Sequence, residues 1–155
     1  MAIRKIPRDT EYFHYHNQNP KNKRSSDCVV RAISTASDKS WDEVLDDLVI
    51  IAHKYKEMPN DTKCYSRYLE DLGFIKCKQP RHTDNTKYTG KEFIKWCNKN
   101  LGSRRSIVAH IGGNHVIAIK ELIEIDGDGH QCRYDYNIYD IWNSSNGTIG
   151  NYWIK

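Results

Sequence analysis

A chain of 155 residues with 38% hydrophobic and 28% charged content has room for one domain, built on a single core under a strongly polar surface. No stretch approaches the roughly 18 apolar residues of a membrane span, and "MAIRKIPRDT" has no apolar run behind its charges, so neither a secretory signal nor an anchor is expected. The formal charge of +4 arises from 24 basic and 20 acidic residues. Because acidic clusters such as "DEVLDD" dilute the basic runs "PKNKR" and "SRR", it argues for solvated surface and against nucleic-acid binding.

Residues 1–26 are polar and irregular, rich in Asn, Lys and His and interrupted by Pro20, and read as an ordered loop or an edge segment packed over another element. A helix is expected from "SSDCVVRAIS". Ser26 or Asp27 can cap it, and Val29, Val30, Ala32 and Ile33 supply an apolar face. In "SWDEVLDDLVIIAHKY", Ser40 and Glu43 have capping-box spacing, and Trp41, Val44, Leu45 and Leu48 trace one face. Third and fourth helices are expected in "DTKCYSRYLEDLG" and "TGKEFIKWCNKN", closing a helical half over residues 27–102.

From residue 106 to residue 155 the period shortens. "SIVAHI", "HVIAIKELIEI", "YDYNIYDIW" and "NYWIK" read as strands, with "DGDGHQ" turning between the second and third. Helices first and strands second favour a single α+β domain, its helical half packed on a C-terminal antiparallel sheet.

Three residues in this layout carry chemistry. Cys28 sits at the first turn of a helix, where unpaired N–H groups and the positive end of the dipole favour thiolate over thiol; the alternative is a small buried hydrophobe. His115 opens a strand after Gly112 and Gly113 and has the open surroundings of a base, whereas His110 alternates inside its strand and reads as packed. Asp140 lies on the next strand, within reach of a neighbouring imidazole, and Trp142 two residues on shares its face and can shield that contact from water.

The order Cys28, His115, Asp140 resembles that of the papain-like cysteine peptidases. In that family the cysteine opens the central helix and the histidine and an Asn or Asp come from neighbouring strands. The "HVIAI" after the histidine, the Trp142 that follows Asp140 and the closing "GTIGNYWIK" are also similar, and the resemblance spans Cys28 to Ile154. It implies a compact bacterial or viral type of thiol hydrolase. The bond is a peptide, isopeptide or amide bond of a peptide or protein substrate, opened through a Cys-His-Asp triad and a thioester. The alternative is a catalytically inactive scaffold of the same fold that binds a protein, peptide or small ligand.

The family's glutamine about six residues before the cysteine falls here on Asn22. Asn17, Gln18 and Asn19 are the other amides that could complete an oxyanion site, and the backbone N–H of Cys28 could supply one donor. No cofactor is expected. No metal is expected either, since neither CxxC nor HxxxH spacing occurs and "DGDGH" lacks the distant Glu of a calcium loop. Five cysteines without close pairs point to a reducing compartment, by default the cytoplasm, and to no disulfide framework.

Overall fold

In the computed structural model, which describes residues 5–155, the elements run β1 (Phe13–Tyr15), α1 (Cys28–Ser37), α2 (Trp41–Tyr55), α3 (Thr62–Asp71), β2 (Ile75–Cys77), α4 (Gly90–Asn100), β3 (Ser106–Ile111), β4 (His115–Ile125), β5 (Gln131–Asp140) and β6 (Ile149–Ile154). Residues 1–4, the start of the stretch read for a leader or anchor, lie outside the described residues. The strands form one six-stranded sheet in the order β1-β5-β4-β3-β6-β2, and the chain is an α+β domain. No helix among the described residues is long and apolar enough to cross a membrane.

The central strands are apolar on both sides because both faces of the sheet are covered. Val108, Val116, Ala118 and Trp153 pack with α1, α2 and α3 on one face. Ile107, Ala109, Ile111, Ile117 and Ile119 point the other way and pack with Phe93, Ile94 and Cys97 of α4. A strand with only one covered face would alternate apolar with polar, so continuous runs such as "HVIAI" follow from having helices on both sides. Trp153 is fully buried and satisfies its indole N–H at Ser66 Oγ, 3.0 Å away.

Two features depart from the sequence expectation. The sheet is mixed, because β1, from the segment read as irregular, pairs in parallel with β5 and sets Tyr15 beside Asp140. The helical half is also not a separate block: β2 leaves it to pair with β6, and α4 crosses to the far face of the sheet. Both strands have three residues, too few for a period of two to show against their polar surroundings.

The helix starts follow their local chemistry. The Ser40 hydroxyl accepts from Glu43 N–H at 3.2 Å while the Glu43 carboxylate accepts from Ser40 N–H at 2.8 Å, and Thr89 and Glu92 repeat the arrangement at α4. Removing the first cap with Ser40→Ala should lower stability by about 1 kcal/mol. In urea unfolding this is a lower midpoint at unchanged slope; an unmoved midpoint would mean that the box does not anchor α2.

Candidate active site

The cleft between the start of α1 and the ends of β3, β4 and β5 has a volume of about 490 Å³. Cys28 stands on its wall, half-buried, at the first position of α1. Asp27 holds the cap position but makes no side-chain cap bond. The first N–H groups of the helix are therefore not covered by their own cap, and they carry the partial positive charge of a helix start.

His115 opens β4 just after Gly112 and Gly113, whose φ angles of 60° and 94° lie in the left-handed region that only glycine adopts freely. That tight turn aims His115 into the cleft. On β5, Tyr139 pairs with Ala118, so Asp140 comes opposite Ile117 and diagonal to His115. Continued past the paired residues, the register sets Trp142 across from His115. Their rings lie 4.7 Å apart at 35°, with the indole still about half exposed.

His115 Nε2 donates to Asp140 Oδ2 at 2.5 Å, and Cys28, His115 and Val116 line the same cleft, near enough for the imidazole and the Val116 N–H to favour the Cys28 thiolate. With Nε2 engaged by Asp140, Nδ1 is the ring nitrogen left for Cys28. Asp140 Oδ1 accepts from Ile141 N–H at 2.7 Å and from Arg31 Nη2 at 3.3 Å, which satisfies a carboxylate that is 4% exposed.

These contacts set the protonation states. Burial acts against a charged imidazole, but the hydrogen bonds to Asp140 and Cys28, with the charges of both, outweigh it and raise His115 to about 9. Burial likewise acts against a thiolate. The His115 and Val116 hydrogen bonds, with the charges of His115 and Arg31, outweigh it and draw Cys28 below its ordinary value. Two thiols of the core shift the other way. Burial raises Cys64, and it pushes the enclosed Cys97 up to about 12. All five cysteines are free.

His110, on β3 across from Val116, also lines the cleft. Its Nε2 is hydrogen-bonded to the Tyr65 hydroxyl and its ring packs edge-on against Trp153, while burial and then the Lys76 charge lower its pKa. Tyr65, Asn60, Thr62 and Ser25 line the cleft with it, none of them marked by a motif. The amides considered for an oxyanion site lie elsewhere: Asn17, Gln18, Asn19 and Asn22 are not among the cleft-lining residues. Asn17 Nδ2 donates to Asn22 Oδ1 and to the Lys23 carbonyl, both at 3.1 Å, and Asn19 Nδ2 donates to Asp27 at 3.1 Å. The loop that carries them is folded on its own polar groups.

Arg31 was missed by pattern reading, although a charged residue inside "CVVRAIS" was the available signal. Among the described residues one trio of potential metal ligands comes together, Asp126, Asp128 and His130 on the exposed β4–β5 turn, within 4.8 Å. There the Asp126 carboxylate accepts the backbone N–H groups of Asp128 and His130 and so organises the turn itself. Comparison with protein-family models, curated proteins and solved structures finds no match to the chain.

In a Cys28→Ala background, where the thiol no longer titrates, the His115–Asp140 pair contributes stability in full below pH 6.5, the ordinary histidine value. That contribution fades as pH rises through the raised folded value. Thermal melts across about pH 6 to about pH 10 should show an alkaline loss that Asp140→Asn removes in the same background. Superimposable pH curves for the two variants would mean that Asp140 does not hold the imidazolium.

Proposed function

We propose that the chain is a papain-like thiol hydrolase that opens a peptide, isopeptide or amide bond with Cys28 as nucleophile, His115 as acid and base, and Asp140 as the residue that orients His115. The single observation behind this reading is one imidazole with its Nε2 bound to buried Asp140, lining the same cleft as the thiol of Cys28 at an uncapped helix start. A merely packed histidine has no need of a buried carboxylate on one side and a thiol on the other.

The chemistry follows from the charges. Cys28 thiolate adds to the carbonyl carbon, and the oxygen that gains the electron pair meets the open N–H groups of the first turn of α1. His115 gives its proton to the departing amine as the carbon–nitrogen bond breaks, leaving a thioester on Cys28. The neutral imidazole then takes a proton from water as the hydroxide adds to the thioester, and collapse expels the thiolate beside the imidazolium so restored, releasing the carboxylic acid. Trp142 over the imidazole keeps bulk water from the His115–Asp140 contact. The substrate is a peptide or protein, and free thiols suit a reducing compartment such as the cytoplasm.

Iodoacetamide at near-neutral pH, read out by peptide mass spectrometry, should modify Cys28 first, ahead of the other four cysteines. His115→Ala should slow that labelling at least about ten-fold and raise its pH midpoint by about one unit. Asp140→Ala should cost labelling less than it costs turnover of a mixed peptide library, scored by new amino termini, because its task is to orient the ring. Labelling of Cys28 at the common rate, indifferent to His115→Ala, would leave only the ligand-binding scaffold.

A further inference from the structure

Asp27 stands where a carboxylate ordinarily caps a helix, yet it caps nothing. Its Oδ1 is hydrogen-bonded to Arg31 Nη1, and its Oδ2 accepts from Trp41 Nε1 at 2.9 Å and from Asn19 Nδ2 at 3.1 Å. Arg31 Nη2 reaches the other way, to Asp140 Oδ1 at 3.3 Å. The guanidinium is buried and Nε has no partner. An arginine that served one carboxylate would present its fork to it with two parallel bonds. This one is divided between two.

We propose that Arg31 is a positioning residue for the thiol chemistry: by bridging Asp27 and Asp140 it holds the first carboxylate off the start of α1 and the second on His115. The inference rests on the hydrolase reading above and extends it to a residue that touches neither substrate nor the reacting carbonyl. Released from Arg31, Asp27 Oδ1 loses its partner and would be free to turn to the N–H groups of Val29 or Val30, as an N-cap does, with only the Oδ2 bonds to Trp41 and Asn19 left to oppose it. It would then occupy the donors that an oxyanion needs and set a negative charge beside the thiolate. Held by Arg31, Asp27 becomes the far end of a series that alternates in sign when ionised: Asp27, Arg31, Asp140, His115, Cys28.

The titratable and charged groups gathered about Cys28 are Asp27 and Arg31 at the start of α1, Tyr65 from α3, His110 from β3, His115 from β4 and Asp140 from β5. Of these, Arg31 joins the carboxylate at the helix start to the one behind the imidazole. Its charge, with that of His115, also favours the thiolate.

The test is alkylation of Cys28 in the full chain with neutral iodoacetamide and anionic iodoacetate, as a function of pH. Arg31→Met should raise the pH midpoint by about one unit and lower the iodoacetate-to-iodoacetamide rate ratio about three-fold or more. Asp27→Asn should leave both near wild type, since the amide still accepts from Trp41 and carries no charge to the helix start. Combining the two should recover most of the ratio lost in Arg31→Met. An ion pair that serves stability alone predicts otherwise: both single variants would lower the melting temperature and neither would move midpoint or ratio, and that result overturns the proposal. Equal shifts in the two single variants overturn it as well. Should Arg31→Met not fold, Arg31→Lys replaces it, because one ammonium cannot span both carboxylates; a shift in the same direction supports the proposal and an unmoved midpoint defeats it. Fast labelling of wild-type Cys28 with flat Arg31 variants refutes this inference alone, whereas slow labelling of wild-type Cys28 refutes the hydrolase reading and this inference with it.

Discussion

A carboxylate with almost no exposure at the end of β5 is the constraint on which the site turns. Asp140 accepts from three donors in three directions: the His115 ring from β4, the Ile141 backbone next to it, and Arg31 from α1. Any one of them alone would leave a buried charge undercompensated, and a buried charge without partners neutralises or unfolds its surroundings. Strand, helix and turn must therefore dock in one relative position. That same docking brings the α1 thiol to the β4 imidazole.

The sheet register then does most of the geometric work. Once Ala118 pairs with Tyr139, the diagonal between His115 and Asp140 and the placement of Trp142 beside His115 follow from the two-residue period of the strands. The helices on both faces make that register stringent, because a slip of one residue would exchange Val116 and Ala118 for Ile117 and Ile119 and mismatch both cores at once.

Much of this was legible in the chain. The capping box at Ser40, the strands of the C-terminal half and the residues Cys28, His115 and Asp140 could be read because each has a local signal: a cap spacing, a period of two, a helix start, or a Gly-Gly turn. What could not be read depends on contacts between distant segments. β1 and β2 are strands because β5 and β6 offer them edges, and α4 lies on the far face because the central strands are apolar there too. The amides of Asn17 and Asn19 were reasonable donors by spacing, but their loop satisfies them internally. Arg31 had no local signal of its role, because its two carboxylate partners sit at opposite ends of the fold's connectivity, one in the preceding cap and one on β5.

The long separation of Cys28 from its partners along the chain has a consequence for the time at which the thiol acquires its character. During synthesis α1 leaves the ribosome early, whereas β4 and β5, which carry the imidazole and the carboxylate, are made much later, and non-local strand pairing is slow to form. Until those strands dock, Cys28 is an ordinary thiol at the end of a nascent helix and lacks the contacts that draw its pKa down. The lowered thiol pKa is thus a property of the completed sheet and not of α1 alone.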